Sequence, residues 1–172
     1  MTTITDITSL SLPDTKRIVE ATYKQADEVM DEVESDMDEV RGQSNHSAQF
    51  LTGKVTRWQY LKAHLLRRKA KLDRLSYAAK QDFNEKYWGK LRHGPRGIQQ
   101  ANGFAFEERK AAAMSEFIVE HQRWELLMEA ADDIERTIRA LDAHLWGVKN
   151  LQAVVRMEHD DAKYSTNKDY ID

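Results

Sequence analysis

Between Arg67 and Arg96 the chain alternates cations with flat rings. Arg67, Arg68, Lys69 and Lys71 come first, then Arg74, Lys80, Lys86, Lys90, Arg92 and Arg96, interleaved with Tyr77, Phe83, Tyr87 and Trp88. Ammonium and guanidinium groups neutralise phosphates, and aromatic faces receive unstacked bases, so this mixture has the chemistry to hold a single-stranded nucleic acid. Asp73, Asp82 and Glu85 are too few to balance it. Two other readings stay open. Trp58, Phe83 and Trp88 are equally suited to a packed core, and an acidic neighbour could cover the basic stretch in place of a polyanion.

Such a neighbour exists. Residues 1–53 hold four Lys/Arg against eleven Asp/Glu, net −7; residues 54–97 hold thirteen against three, net +10; residues 98–172 hold nine against fifteen, net −6. The formal net charge of −3 therefore hides a basic middle, and local field rather than net charge governs contact with a polyanion.

Catalytic chemistry has little footing. The chain has no cysteine, no Gly-rich phosphate loop, no His-Glu-x-x-His helix and no Gly-x-Ser-x-Gly elbow. A carboxylate di-metal site in a helical bundle needs Glu-x-x-His pairs, and no Glu here has a His three residues later. His121 near Glu120 and Glu125, and His159 beside Asp160 and Asp161, read as solvated charge. The expectation is a protein that works by binding, with no enzymatic activity, metal or cofactor. Lack of cysteine suits a reducing compartment, and neither a leader pattern in Met1 to Leu12 nor an apolar run approaching roughly 18 residues is present. A cytoplasmic protein without membrane contact is expected.

Long helices must position these residues, because seven Gly and two Pro in 172 residues leave few turns. Pro13-Asp14 announces a first helix to about Arg41, with Val19, Tyr23, Ala26, Met30, Val33, Met37 and Val40 on one face and acids on the others. After a polar turn at Gly42-Gln43-Ser44-Asn45, the basic helix runs from about His46 to Leu91. His93-Gly94-Pro95-Arg96-Gly97 interrupts it, since proline lacks a backbone donor, and 93–105 reads as a loop. From about Phe106 to Asp160 the helical pattern resumes, and slots at heptad spacing from Phe117 to Val155 are apolar except at Glu120 and Gln152. This coiled-coil-like seam needs other helices, other copies or both to cover it. Leu127, Ile134, Ile138, Leu141, Leu145 and Val148 are the expected oligomerisation residues. The chain thus divides into an acidic helical segment (1–44), a core of basic helix, loop and heptad helix (45–160) and a polar tail (161–172) expected to fray.

Three segments, in this order, resemble the recombination-mediator family of the T-even phages and their marine relatives, typified by UvsY. They are His46-Ser47-Ala48-Gln49-Phe50-Leu51, Lys86-Tyr87-Trp88-Gly89-Lys90 and Trp146-Gly147-Val148-Lys149-Asn150. The resemblance covers roughly 45–158. The chain departs from the family's pattern at Lys86, where an aromatic is usual, at Trp88, where a small residue is usual, and at Gln81 and Phe83, where bases are usual. The resemblance implies an all-α subunit in a closed homo-oligomeric ring, binding single-stranded DNA in the cytoplasm of a phage-infected bacterium. It also implies contacts with a recombinase and a single-strand-binding protein during DNA recombination and repair. The expected DNA-binding set, read from the cations and rings of the basic stretch, is Arg67, Arg68, Lys69, Lys71, Lys80, Lys86, Tyr87, Trp88, Lys90 and Arg92. The alternative is a helical scaffold or assembly chaperone that binds only protein.

Overall fold

The computed structural model describes residues 10–43, 47–93 and 103–168, with side chains described except at 93, 103–105 and 161–168. Among the described residues there are four helices and no strands: α1 (Leu12–Gly42), α2 (Ala48–His93), α3 (Gly103–Glu116) and α4 (Ile118–Lys168). The expected turn residues Ser44 and Asn45, His46, Arg96 with most of the 93–105 loop, and the last four residues of the tail lie outside the described residues.

Local chemistry sets the helix starts. Ser11 Oγ accepts the Asp14 amide at 3.2 Å and donates to Asp14 Oδ2 at 2.5 Å, a reciprocal cap on α1. Ser47 does the same work for α2, its Oγ accepting the Phe50 amide at 3.1 Å. The single helix expected over 106–160 is divided at Phe117, although the ladder carries on through it: Phe117 N–H donates to Ala113 O and His121 N–H to Phe117 O, both at 3.1 Å. It also starts earlier and ends later than its periodicity suggested, at Gly103 and Lys168.

The chain forms two compact units, each discontinuous in sequence: residues 1–23 with 68–133, and residues 24–67 with 134–172. In the second unit, Val33, Val40, Leu51, Trp58, Leu65, Ile134, Leu141 and Val148 are among the buried residues. Its ion pairs fix direction: Glu32 pairs with Arg57, while Asp36 and Glu39 pair with Lys54, so α2 runs antiparallel to α1. Lys62 on Asp142 (2.6 Å) and Gln152 on Thr52 (2.5 Å) make α4 antiparallel to α2.

A buried polar knot sits in this unit. Trp58, fully buried, donates its indole N–H to Asp36 Oδ2 at 2.8 Å, and Lys54 Nζ meets Asp36 Oδ1 at 2.7 Å. Burial raises the Asp36 pKa, but the hydrogen bonds from Lys54 and Trp58 and the charges of Lys54 and Arg57 outweigh it and hold the carboxyl below its ordinary value. Burial likewise depresses Lys54, and Asp36 and Glu39 overcome that, leaving its pKa raised.

In the first unit, Leu10, Val19, Leu72, Leu75, Ala79, Phe83, Leu91, Ala113, Leu127 and Ala130 are buried. Thr15 and Thr22, also buried, satisfy their hydroxyls on the carbonyls of Ser11 (3.1 Å) and Ile18 (2.7 Å) one turn back.

The six expected oligomerisation residues are all buried within the single chain, Leu127 in the first unit and Ile134, Ile138, Leu141, Leu145 and Val148 in the second. In this fold they present no surface to another copy. Coverage of the stripe falls to the chain's own helices.

Candidate nucleic-acid interface

The part of α2 in the first unit, residues 68–93, carries most of the cations singled out above. Leu72, Leu75, Ala79, Phe83 and Leu91 turn inward, fixing which side chains face out. A helix repeats every 3.6 residues, so Lys71, Arg74, Ala78, Gln81, Glu85, Trp88 and Arg92, at steps of three and four, form one stripe opposite the buried side. Tyr77 flanks it.

On the stripe the charges are open. Lys71, Arg74 and Arg92 are exposed and have no ion-pair partner among the described residues. Tyr77 is 65% exposed and Trp88 45%. Glu85 is the one carboxylate on the stripe. At about 1.5 Å per residue, Lys71 to Arg92 spans roughly 30 Å.

The flank of α2 facing the end of α3 and the start of α4 has a different character. Lys86 Nζ lies 2.8 Å from Glu120 and 3.1 Å from Asp82, and Lys90 Nζ lies 2.9 Å from Glu116. The hydrogen bond to Glu120 raises the Lys86 pKa despite burial, with Asp82 adding to it. Burial raises the Glu120 pKa, but Lys86 outweighs it and leaves the carboxyl below its ordinary value. Arg123, buried, bridges Asp82 (3.1 Å) and the Leu10 carbonyl (2.8 Å). Lys80 Nζ stands 5.1 Å above the Trp124 ring. Phe83 stacks on Tyr87 and Trp124 with centroids 5.3 and 6.2 Å away and meets His121 edge-on at 5.0 Å.

The ten residues of the expected DNA-binding set therefore separate. Lys71, Trp88 and Arg92 share the open stripe. Lys80, Lys86, Tyr87 and Lys90 are held against α3, α4 or the aromatic cluster by contacts within the unit. Lys69 pairs with Asp73 at 2.9 Å. Arg68 lines a cavity between α1 and α2, and Arg67, exposed, belongs to the other unit. Among the rings that could be either core or surface, Trp58 and Phe83 are core, whereas Trp88 is exposed and touches Tyr87 edge-on at 5.3 Å. Arg74 and Tyr77 complete the open surface; their spacing of three residues from Lys71 to Arg74 and from Arg74 to Tyr77 was the available signal.

The acidic first helix covers part of the basic one. Its partners are Lys54 and Arg57, both in the second unit, and not the cations of 68–92. No group of three His, Asp or Glu side chains able to hold a metal occurs among the described residues, and no helix there is long and apolar enough to cross a membrane. Comparison with known proteins returns no matching family, no matching curated protein and no matching solved structure.

Proposed function

We propose that this chain is a single-stranded DNA-binding recombination mediator, acting by binding alone and without a cofactor, and that the open stripe of α2 is where the strand lies. The observation that carries the reading is the coincidence of three cations lacking ion-pair partners among the described residues, Lys71, Arg74 and Arg92, with two exposed rings, Tyr77 and Trp88, on neighbouring faces of one helix. Exposed like charges repel one another, and a polyanion relieves that repulsion. Exposed rings beside them give bases a surface to stack on, which favours a single strand over a duplex whose bases are already stacked.

The mediator role adds a recombinase and a single-strand-binding protein as partners, in the cytoplasm of a phage-infected bacterium, and rests on the family resemblance. A mediator shifts the competition between these two proteins for one strand by binding one DNA conformation better than another. Self-association belongs to the same reading. Since the heptad residues are covered, the surface available to a second copy includes Trp146, 70% exposed, with Val154 and Met157 further along the outer side of α4.

The direct test is an anisotropy titration against single- and double-stranded DNA at two salt concentrations, followed by the recombinase's strand-dependent ATPase on strand coated with single-strand-binding protein. Preference for single strands and a shortened ATPase lag are expected. No DNA binding at low salt refutes the reading. The second reading, a scaffold binding protein only, draws on the same exposed Trp146 and Met157, and it predicts assembly with no DNA affinity.

A further inference from the structure

Arg68 stands off the open stripe and has no ion-pair partner among the described residues. Half-buried, it lines a cavity of about 200 Å³ between the N-terminal part of α1 and the middle of α2, together with Arg17 and Lys71. Its floor is apolar, from Ile18, Leu72 and Leu75. A single water needs only about 10–15 Å³ of such space, so the cavity has room for a group of several heavy atoms. No carboxylate lines it. Of the three lining cations, Arg17 alone has an ion-pair partner among the described residues, Asp14, whose Oδ1 lies 3.7 Å from Arg17 Nη1 in a pair open to solvent. Arg68 Nε is shielded from water and has no hydrogen-bond partner, the only such buried side-chain atom among the described residues. Buried donors are nearly always satisfied, and an exception asks for an acceptor.

We infer that this cavity is a nucleotide-phosphate site, in which Arg68, Arg17 and Lys71 hold the phosphate while the sugar and base lie on Ile18, Leu72 and Leu75. A guanidinium offers a planar fork that matches two phosphate oxygens, and Lys71 adds a point charge. An apolar floor under a cationic rim suits a nucleotide better than a bare inorganic anion, which has nothing to place on it. The site extends the nucleic-acid reading of the outer stripe to a defined pocket on the same helix. The phosphate can belong to a strand or to a free nucleotide, since both present the same chemistry.

The test uses the full chain labelled with ¹⁵N-arginine, following the Arg68 Nε–H resonance while adding thymidine monophosphate, thymidine, or a short oligothymidylate. A shift with oligothymidylate alone assigns the site to strand phosphates, and a shift with both phosphate-bearing probes assigns it to nucleotides in general; either supports the inference. Thymidine alone leaves the resonance in place. Arg68→Lys, which keeps the charge and removes the fork, lowers affinity for the phosphate-bearing probe by roughly ten- to a hundredfold. No shift with either phosphate-bearing probe, or unchanged affinity in Arg68→Lys, overturns it. The Trp88 indole N–H resonance, followed in the same titration with ¹⁵N-tryptophan and assigned by its loss in Trp88→Phe, reports the outer stripe separately from the other three tryptophans. A shift of Trp88 with a silent Arg68 leaves the strand-binding reading standing without this site, and the opposite pattern leaves the site without that reading.

Discussion

The two sets of lysines and arginines on α2 make opposite forecasts for the salt dependence of DNA binding. Replacing Lys71, Arg74 and Arg92 by alanine removes three cations without ion-pair partners among the described residues. Each phosphate neutralised on a single strand contributes about −0.7 to the slope of log affinity against log salt, so the three together account for about −2.1. Over a fourfold rise in salt that slope lowers affinity roughly eighteenfold, and the triple variant loses this part of the dependence. Lys86→Ala with Lys90→Ala removes the same kind of charge, but these two ammonium groups already sit at 2.8 and 2.9 Å from Glu120 and Glu116. Their removal also leaves those carboxylates unneutralised on the flank beside the stripe, and their negative field lowers affinity while the slope moves by less than about one. The assay is fluorescence anisotropy with labelled oligothymidylate at several salt concentrations. A triple variant with the parent's slope, or a double variant that flattens it by about 1.4 or more, refutes the placement of the strand on the open stripe.

Trp88→Ala should cost about 1–3 kcal/mol of strand binding while leaving the melting temperature nearly unchanged, whereas Phe83→Ala, inside the aromatic cluster, should cost about 3–5 kcal/mol of stability. Thermal melts beside DNA titrations distinguish the two. Asp36→Ala should destabilise by about 3–5 kcal/mol in a urea melt, because it strands the Trp58 indole N–H and deprives Lys54 of its buried carboxylate. The parent's urea midpoint should also depend on pH. The lowered Asp36 pKa stabilises fully above the ordinary 3.8 and is lost as pH falls below it; the raised Lys54 pKa stabilises fully below the ordinary 10.5 and is lost as pH rises past it. Gly53→Ala and Gly147→Ala should each stabilise by about 0.5–1 kcal/mol, since both lie within helices and an added Cβ meets nothing within 4 Å. Trp146→Glu with Met157→Glu should reduce the mass seen by light scattering toward the 20.0 kDa of one chain without lowering stability; unchanged mass removes this face of α4 from self-association.

Helical class and the starts of α1 and α2, to within about two residues, were legible because prolines, polar turn residues and apolar spacing act locally. The exact face of α1 was not. Val19, Ala26, Val33 and Val40 are buried as their spacing indicates, but the other half of the stripe belongs to Thr15, Thr22, Val29 and Asp36, with Tyr23, Met30 and Met37 only half-buried. An apolar pattern favours Met37 over Asp36, because only the pairing of α1 with α2 shows that Lys54 and Trp58 make a buried carboxylate tolerable there. The same limit applied to the candidate site. A sequence shows how many cations a segment has, but which of them another helix neutralises depends on where Glu116 and Glu120 land, about thirty residues away along the chain.

The knot of Asp36, Lys54 and Trp58 also bears on the order in which the chain takes shape during its synthesis. Its three members lie within 22 residues of one another, joined by the short connection between α1 and α2, so they can meet soon after Trp58 leaves the ribosome. The rest of their unit, residues from Ile134 onward, emerges much later. At about 5–20 residues per second, the interval between Arg67 and Val148 lasts roughly 4–16 s. Throughout that time Thr52, Trp58 and Lys62 await Gln152, His144 and Asp142 of α4, and a hairpin held by apolar contacts alone could slide by a turn and lose little. A carboxylate that must meet one particular ammonium and one particular indole N–H cannot slide without stranding all three, so the nascent hairpin keeps its alignment until α4 arrives.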